Sequence, residues 1–269
     1  MGLTTLGVIG GAGWLGRALL RPALADGVVQ EDALVISSRR GRAEGFEAWP
    51  GVRFTNGNAA LAAAADIVLL SVRPQDLDAI RLDLSGKLVI SVMAMVTSAE
   101  LASRFRTRRV IRAMPNACAE KRLSFTPWFA SQDATAEDCL FTERFFASSG
   151  EALRVGSEAE LNYFTALTGS GPAFLAAFAD AMIRSAVADG GIAPATAERA
   201  VRRLFLGGST LIAEAEQTPA EIVETFVSYA GTTAAGLETM AAADIRTPIA
   251  KGLRAAAERA AAGHARRTT

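Results

Sequence analysis

Short apolar runs alternate with alanine-rich stretches over the first part of the chain. The runs contain Val, Ile and Leu at consecutive positions, which is typical of strands buried on both faces of a sheet. They are Leu6–Ile9, Ala33–Ser37, Ile67–Val72, Leu88–Met93, Val110–Ala113, Leu123–Ala130 and Ala152–Val155. The alanine-rich stretches between them are typical of helices. This alternation predicts βαβ units and a mostly parallel sheet.

The pattern changes near residue 155. From Ser157 onward the strand pattern disappears, and Ala, Leu, Glu and Arg dominate. Thr218, followed by Pro219 and Glu221, predicts a helix start with a threonine cap and a proline in the first turn. We therefore predict an α/β domain over residues 1–155 and an all-helical domain over residues 156–269.

Composition and charge narrow the classes of function. The 28 Lys and Arg residues balance 28 Asp and Glu residues, whereas proteins built around nucleic acid or an anionic membrane usually carry a basic excess. The one histidine, His264, lies near the C-terminal end, so we exclude histidine-based triads and zinc sites and expect no metal. Cys118 and Cys139 form neither a CxxC pair nor a disulfide ladder, which suits a reducing compartment.

No membrane or secretory signal is expected. The first residues carry no basic segment, and the charged residues Asp180 and Arg184 interrupt the longest apolar stretch before it reaches the roughly 18 residues of a membrane span. We therefore expect a soluble, cytoplasmic protein.

A glycine-rich motif indicates a dinucleotide site. It follows the first apolar run, precedes a helical stretch, and reads Gly11-Ala12-Gly13-Trp14-Leu15-Gly16. In that context the first glycine permits a tight turn, the second lets a pyrophosphate approach the backbone, and the third lets the helix pack on the strand. The N–H groups at the helix start can then hold phosphates. The alternative is a glycine-rich turn without a ligand.

The end of the second apolar run indicates which dinucleotide is bound. It reads Ser37-Ser38-Arg39-Arg40-Gly41-Arg42, where an NAD site usually has an acidic residue for the ribose hydroxyls. Hydroxyl and guanidinium groups suit a 2′-phosphate instead. We therefore expect NADPH, with NADH less favoured; an exposed basic loop is the alternative.

Two segments of the helical part combine small and hydroxyl-bearing residues at helix breaks. They are Thr165–Phe174 and Ser228–Leu237. Such residues let backbone come close to a ligand or a partner. In the second segment, the free N–H groups and hydroxyls after Gly231 could bind a carboxylate. A tight turn between two helices is an equally good interpretation.

These segments together resemble the pyrroline-5-carboxylate reductase family. The resemblance rests on the glycine motif and on Ser71–Gln75, Arg112–Asn116, Thr165–Phe174 and Gly231–Thr233, in the same order and spacing from Leu6 to about Ala262. It implies a Rossmann-type dinucleotide-binding domain followed by an all-helical dimerisation domain. It also implies NADPH-dependent reduction of the cyclic imine 1-pyrroline-5-carboxylate to L-proline, and a homodimer formed through the helical domain, with a higher oligomer left open.

The resemblance also implies roles for individual residues. The implied cofactor-binding residues are Gly11, Ala12, Gly13, Trp14, Leu15, Gly16, Ser37, Ser38, Arg39, Val72, Pro74, Gln75, Ala94 and Asn116. The implied substrate-binding residues are Ser228, Gly231, Thr232 and Thr233. Thr168, nearest the reacting imine, and Asn116 at the nicotinamide end are the expected catalytic residues. Because a protonated imine is already electrophilic, direct hydride transfer needs alignment and exclusion of water rather than a histidine base.

Four positions depart from the family pattern. Ala117-Cys118 stand where the family has Thr-Pro, Tyr229-Ala230 where it has Pro-Gly, and Met95 where it has glycine, and no glycine occurs around Lys121-Arg122. These changes leave two alternatives open: a reductase of a different cyclic imine, such as a piperideine carboxylate, and a non-catalytic NADPH-binding protein. The β-hydroxyacid dehydrogenases share the two-domain layout but use a lysine on the first helix of the second domain, where this chain has none.

Overall fold

A computed structural model describes residues 4–38 and 41–263. Within those ranges, eight strands form one sheet. They are β1 Leu6–Ile9, β2 Leu34–Ser37, β3 Arg53–Thr55, β4 Ile67–Leu70, β5 Leu88–Ser91, β6 Val110–Ala113, β7 Ser124–Ala130 and β8 Gly150–Arg154. Their order across the sheet is β3-β2-β1-β4-β5-β6-β7-β8. The first six strands are parallel, β7 runs antiparallel to β6, and β8 runs parallel to β7. The predicted α/β class is confirmed.

Helices accompany both faces of this sheet. They are α1 Trp14–Ala25, α2 Asn58–Ala64, α3 Ser98–Phe105, α4 Ala136–Ala147 and α5 Glu158–Phe164, with short 3-10 helices over Glu31–Ala33, Pro74–Ala79 and Ala117–Lys121. Val8 of β1 packs in an apolar cluster with residues of α1 and α4. The next residue, Ile9, packs in a second cluster with residues of α2 and α3. Successive strand residues point to opposite faces, so the apolar runs are buried on both sides as predicted.

The sheet has a topological switch beside its first strand. From β1 the chain passes to β2 and β3 on one side, and then returns to β4 on the other side of β1. In open α/β sheets, ligands bind outside the carboxyl ends of the strands at such a point. The edge formed by the ends of β1, β2 and β4 is therefore the expected ligand edge.

One strand is absent from the sequence-based prediction. β3 is three residues long, Arg53-Phe54-Thr55, and pairs with β2. With one apolar residue flanked by two polar ones, it has too short a pattern to be recognised in the sequence. It is the edge strand on that side of the sheet, where a polar and partly exposed strand is stable.

The helices after the sheet form a second compact unit. This unit covers Gly171–Leu253, whereas the first covers the chain up to Ser170 and resumes at Arg254. Its helices are α6 Gly171–Ala188, α7 Pro194–Glu214, α8 Pro219–Ser228 and α9 Thr232–Ala242, and α10 Arg246–Ala261 follows. The helix start predicted at Thr218 is present: its hydroxyl accepts from the Glu221 N–H, and the Glu221 carboxylate accepts from the Thr218 N–H.

The compact units divide later than the predicted domain boundary at 155/156. The sheet does end at Arg154, but α5 belongs to the first unit because Leu161 packs with Met114 and Val155. A salt bridge between Arg112 and Glu158 joins the same helix to β6. These contacts lie between residues distant in sequence, so composition did not reveal them.

One helical stretch has the length and composition of a membrane span. The helices over Glu158–Ala188 form a continuous stretch of 31 residues, so the expectation that charged residues keep every apolar stretch too short was wrong on this criterion. Asp180 and Arg184 pair with each other at 2.7 Å, one helical turn apart. Length and composition alone are weak evidence for a span; the core helix of a soluble protein has the same length and composition but is mostly buried, whereas 6% of the apolar window is buried here.

Candidate active site

The glycine turn after β1 begins one residue earlier than the sequence motif suggests. Gly10 has a φ of +86°, and a Cβ there would lie 2.2 Å from the carbonyl oxygen of Ser71. The sequence motif predicts the tight turn at Gly11, but Gly10 has the positive φ and lies close to Ser71, the residue after β4. Two successive glycines directly after a strand were the available signal. Gly10 is therefore a site residue that sequence reasoning missed.

The start of α1 has the properties of a phosphate site. Gly13 precedes the helix with an extended backbone and no side-chain cap among the described residues, and the first helical turn holds no acidic residue. The first N–H groups of a helix lack partners within the helix and favour an anion. Gly13 is exposed, whereas Ala12 and Leu15 pack against the core. The Trp14 indole donates to Glu120 at 3.2 Å, beside this turn. The motif therefore fits a pyrophosphate held by backbone.

The end of β2 presents hydroxyls without a carboxylate. The Ser37 hydroxyl donates to Asn58 Oδ1 at 2.6 Å, and Ser38 is buried, with its N–H bonded to the Thr55 carbonyl. Arg39 lies outside the described residues. The Arg42 guanidinium donates to the carbonyls of the following loop, so Arg42 stabilises that loop.

The end of β4 lies beside the glycine turn. The Ser71 N–H donates to the Ile9 carbonyl at 2.8 Å, which holds the ends of β1 and β4 together. Val72 is half-buried and borders the Gly10 turn. Pro74 begins the next 3-10 helix, and Gln75 is exposed there. All three residues expected along the middle of the cofactor thus follow β4, whose end lies at the expected ligand edge.

The ends of β5 and β6 carry the two residues expected at the nicotinamide. Ala94 packs against an apolar cluster that includes Met114 and Leu161. Asn116 is buried, and its side-chain oxygen accepts from the Cys118 N–H at 2.9 Å. This bond caps the 3-10 helix that begins at Ala117. The cap uses the carbonyl oxygen of the Asn116 side chain, so its NH2 group is the part suited to a ligand.

Thr168 lies in a π-helical segment packed on this region. The segment covers Thr165–Gly169 and continues directly from α5. The Cβ position of Gly169 lies 3.7 Å from the Met114 side chain, two residues from Asn116. The Thr168 hydroxyl donates to the Phe164 carbonyl at 3.0 Å. Because its proton is engaged there, the hydroxyl is arranged to accept a hydrogen bond from a ligand. π-helical insertions occur frequently at functional sites.

The candidate carboxylate site lies in the second unit, at the start of α9. Gly231 precedes this helix, and no side chain of the described residues caps it. Thr232 and Thr233 form its first turn, so their N–H groups and hydroxyls stand at the positive end of the helix dipole. Ser228 ends α8, and its hydroxyl donates to the Thr225 carbonyl. The residues fit a bound carboxylate.

Three of the family departures coincide with left-handed backbone. Met95, Arg122 and Ala230 have φ values of 65°, 57° and 48°. This conformation is strained for a residue with a Cβ and natural for glycine. Met95 and Ala230 stand where the family pattern has glycine, and Arg122 lies in the region where a further glycine is expected. The left-handed backbone is therefore present here without the residue that suits it.

The parallel sheet, the glycine turn at its switch point and the following helical unit define a dinucleotide-dependent oxidoreductase. Residues 158–262 match the family model for pyrroline-5-carboxylate reductase dimerisation. Residues 5–95 match the model described as NADP oxidoreductase, coenzyme F420-dependent. The chain belongs to the pyrroline-5-carboxylate reductase family.

Individual relatives agree over nearly the whole chain. The pyrroline-5-carboxylate reductase of Synechocystis sp. is 30% identical over 94% of this chain and 96% of its own length. That of Thermus thermophilus is 31% identical over 93% and 95%. The solved structure of a pyrroline-5-carboxylate reductase from Coxiella burnetii is 26% identical and covers 96% of this chain and 98% of its own, with a TM-score of 0.84.

A more distant structure shares the fold. The Plasmodium falciparum pyrroline carboxylate reductase with NADP bound is 20% identical, covers 97% of this chain and 99% of its own, and has a TM-score of 0.81. The expected order of domains, a Rossmann-type sheet followed by a helical dimerisation domain, is confirmed.

Proposed function

We propose that the protein reduces 1-pyrroline-5-carboxylate to L-proline with NADPH, and so acts in proline biosynthesis. One observation carries the proposal: the glycine motif after β1, Ser71–Gln75 after β4 and Arg112–Asn116 at the end of β6 lie at one sheet edge, and each resembles a segment of the pyrroline-5-carboxylate reductase family. The π-helical segment with Thr168 packs beside the last of them, against Met114.

The cofactor would extend along this edge. The turn from Gly10 to Gly16 and the N–H groups of α1 would hold the pyrophosphate. Val72, Pro74 and Gln75 would line its middle, and Ala94 and Asn116 would border the nicotinamide. When bound, NADPH supplies the hydride for the imine carbon.

The end of β2 favours NADPH over NADH. Ser37 and Ser38 stand where an acidic residue would repel a 2′-phosphate, and Arg39 follows them in the sequence. Arg42 is already occupied by the carbonyls of its own loop. We therefore assign the 2′-phosphate to Ser38 and Arg39.

The substrate needs a carboxylate site and a partner for its nitrogen. Ser228, Gly231, Thr232 and Thr233 would bind the carboxylate through hydroxyls and the uncapped N–H groups of α9. The Thr168 hydroxyl, with its proton donated to Phe164, would accept from the N–H of the protonated imine. That bond orients the ring and stabilises the charged, reactive form.

The helical unit supports a homodimer. Large apolar side chains are exposed along its helices, including Leu175, Phe178, Leu206 and Phe226. Many large apolar side chains exposed on one unit favour an interaction site, and the family model that matches this part describes dimerisation. A partner on these helices would also explain the apolar length of Glu158–Ala188 without a membrane. We place the protein in the cytoplasm as a soluble dimer.

A different cyclic imine is the second candidate. Met95 and Tyr229 replace smaller residues of the family pattern, and Tyr229 is 78% exposed, so bulk is added at both the nicotinamide end and the carboxylate loop. Changes of size at these two places are expected to alter which imine ring is accepted, so the ring is decided by turnover.

Turnover with two imines tests the proposal. NADPH oxidation is followed by absorbance with 1-pyrroline-5-carboxylate and, separately, with the six-membered piperideine carboxylate, with NADH as the cofactor control. Faster turnover of the five-membered imine with NADPH is the expected result. Turnover of the larger ring alone would establish the second candidate. NADPH binding without turnover of either imine would contradict both and favour a non-catalytic NADPH-binding protein.

A further inference from the structure

Three elements of the first unit meet at the carboxylate of Glu158. Arg112 of β6 donates to its Oε1 at 2.5 Å. Ser98, the first residue of α3, donates to Oε1 through its backbone N–H at 3.0 Å and to Oε2 through its hydroxyl at 2.9 Å. We name Ser98, Arg112 and Glu158 the Glu158 cluster. A single side chain thus joins α3, β6 and α5.

Each member of the cluster is close in sequence to a different part of the candidate site. Arg112 lies on β6, four residues before Asn116. Ser98 begins α3, directly after the connection from β5 that contains Ala94 and Met95. Glu158 begins α5, which continues into the π-helical segment with Thr168. The cluster therefore links the two backbone segments at the nicotinamide end to the one that would hold the imine.

Burial makes this link stiff. Arg112 is only 1% exposed, and its Nε has no partner among the described residues. A buried guanidinium is unfavourable unless it is paired, so Arg112 depends on Glu158 for compensation. Two donors from Ser98 fix the orientation of the same carboxylate. A shift of α5 relative to β6 would disturb the Arg112 bond, and a shift of α5 relative to α3 would disturb the two Ser98 bonds.

The cluster and the π-helical segment are connected by packing as well. Leu161, one turn after Glu158, is buried against Met114 and Val155. Phe164 stacks on Phe125 of β7 with ring centroids 5.8 Å apart. From Glu158 onward, α5 is thus held on the sheet by an ion pair, then a leucine, then an aromatic pair, until the chain reaches Thr168.

We propose that Glu158 and Arg112 are positioning residues that fix the π-helical segment against β6 and so set the place of Thr168 relative to Ala94 and Asn116. The inference rests on the proposed function for its effect on turnover. Neither residue is required to touch substrate or cofactor. Misplacement of reacting groups by about 1 Å can cost on the order of 100-fold in rate.

The test compares Glu158→Gln with Glu160→Gln. Glu160 lies on the same helix and accepts only from the Gly156 N–H among the hydrogen bonds described for it, so it is a matched control. For Glu158→Gln we expect kcat to fall at least about tenfold, with KM and the NADPH Kd within about twofold of wild type. The deuterium isotope effect on hydride transfer from labelled NADPH should rise, because transfer becomes more rate-limiting.

Further variants separate positioning from loss of structure. Arg112→Lys keeps the charge and should retain more kcat than Arg112→Met. Ser98→Ala removes one of the three bonds and should give an intermediate loss. Assays well below the measured Tm of each variant remove the contribution of unfolding. A Glu158→Gln enzyme with the kcat and isotope effect of Glu160→Gln would overturn the proposal.

Hydrogen–deuterium exchange tests the link without turnover. In Glu158→Gln, peptides over residues 161–170 should exchange faster than in wild type, while peptides over β1 and β4 are unchanged. If the wild-type protein reduced neither imine, the proposed function would fail. The exchange rates would still show whether the Glu158 cluster restrains residues 161–170. Unchanged exchange over residues 161–170 would overturn the inference, whatever the activity.

Discussion

The Cβ position of Gly16 lies 2.6 Å from the Cα of Gly11. No real Cβ tolerates such a distance, so the first turn of α1 can approach the backbone after β1 only because Gly16 lacks a Cβ. A Cβ on Gly11 would instead meet the Val8 side chain, at 2.9 Å. Gly13, between them in the motif, is different: its Cβ position has only the Gly10 carbonyl oxygen as a close neighbour, at 3.1 Å. The motif glycines therefore separate into those required by the fold and one available to a ligand.

Substitution of these glycines should separate stability from cofactor binding. Gly16→Ala should lower the free energy of unfolding by about 1–3 kcal/mol, because backbone atoms must move apart. Gly13→Ala should leave it within about 1 kcal/mol of wild type, since its φ of −71° suits alanine. It should nevertheless weaken NADPH binding at least about tenfold by blocking the pyrophosphate. Urea unfolding and fluorescence titration measure the two effects, and an unchanged NADPH Kd for Gly13→Ala would contradict the assignment.

Ala230→Gly should stabilise the protein. Ala230 is exposed and has a φ of 48°, a conformation that costs about 1–2 kcal/mol for a residue with a Cβ. After subtraction of the extra entropy of glycine in the unfolded chain, the expected gain is about 1 kcal/mol or less. The matched control is Ala235→Gly in the interior of α9, which should lose about 1 kcal/mol. Equal unfolding midpoints for Ala230→Gly and wild type would argue against strain at this loop.

The sequence predicted most of the sheet, because buried parallel strands produce continuous apolar runs. β1 is found with the predicted bounds, and the other predicted strands are present within a few residues. The three-residue edge strand β3 was not predicted, since its polar residues Arg53 and Thr55 are equally typical of a loop. The inclusion of α5 in the first unit was also not predicted. The contacts that hold α5 on the sheet join residues far apart in sequence, such as Arg112 and Glu158, which are 46 positions apart.

The candidate site was predictable where the backbone conformation requires glycine. It was less predictable where the role of a residue depends on which hydrogen bonds its side chain makes. The glycine motif predicted the turn, because glycines directly after a strand are typical of a backbone that approaches another backbone or a ligand closely. The engagement of Arg42 with its own loop and of the Thr168 proton with Phe164 followed from three-dimensional contacts. The left-handed backbone at Met95 could not be inferred from its side chain, and the family pattern alone suggested it.

The contribution of Glu158 to stability should depend on pH in the acid range. Burial raises the pKa of the Glu158 carboxyl, but hydrogen bonds from Arg112 and Ser98 outweigh it, so the pKa lies below its ordinary value of 4.5. The unfolded chain then binds more protons, and stability rises with pH. The stabilisation is fully present above the unfolded pKa and is lost as the pH falls through the folded pKa.

The pH dependence contributed by Glu158 can be isolated by comparison with Glu158→Gln, which has no titrating group at that position. The difference in unfolding free energy between wild type and Glu158→Gln should be largest near neutral pH and should shrink as the pH falls below about 4.5. Urea titrations at several pH values measure it. A difference that stays constant through the acid range would show that the charge of Glu158 contributes nothing.

A charge among the exposed apolar side chains of the helical unit should dissociate the proposed dimer. Leu206 is 60% exposed on α7 and follows Phe205, which packs against Phe178 of α6, and Leu206→Asp would replace an exposed apolar side chain with a charge. We expect sedimentation to shift toward the monomer mass and the Tm to become more dependent on protein concentration. Leu140→Asp is the control, because Leu140 is equally exposed, at 61%, on α4 of the first unit. Dimers of equal strength in both variants would exclude Leu206 from the interface.

Thr168→Val should lower turnover without weakening NADPH binding. Valine keeps the shape of threonine, but it lacks the oxygen that would accept from the protonated imine. A hydrogen bond to a charged group is worth about 1.5–3 kcal/mol, so kcat should fall about 10–100-fold. Thr168→Ser keeps the hydroxyl and should retain most activity. Thr165→Val is the matched control in the same π-helical segment, since the Thr165 hydroxyl donates to the Leu161 carbonyl and has no assigned ligand. Steady-state kinetics of the three variants decide the role of Thr168: equal losses in Thr168→Val and Thr165→Val would mean that the segment needs its internal hydrogen bonds and that the Thr168 oxygen has no part in holding the imine.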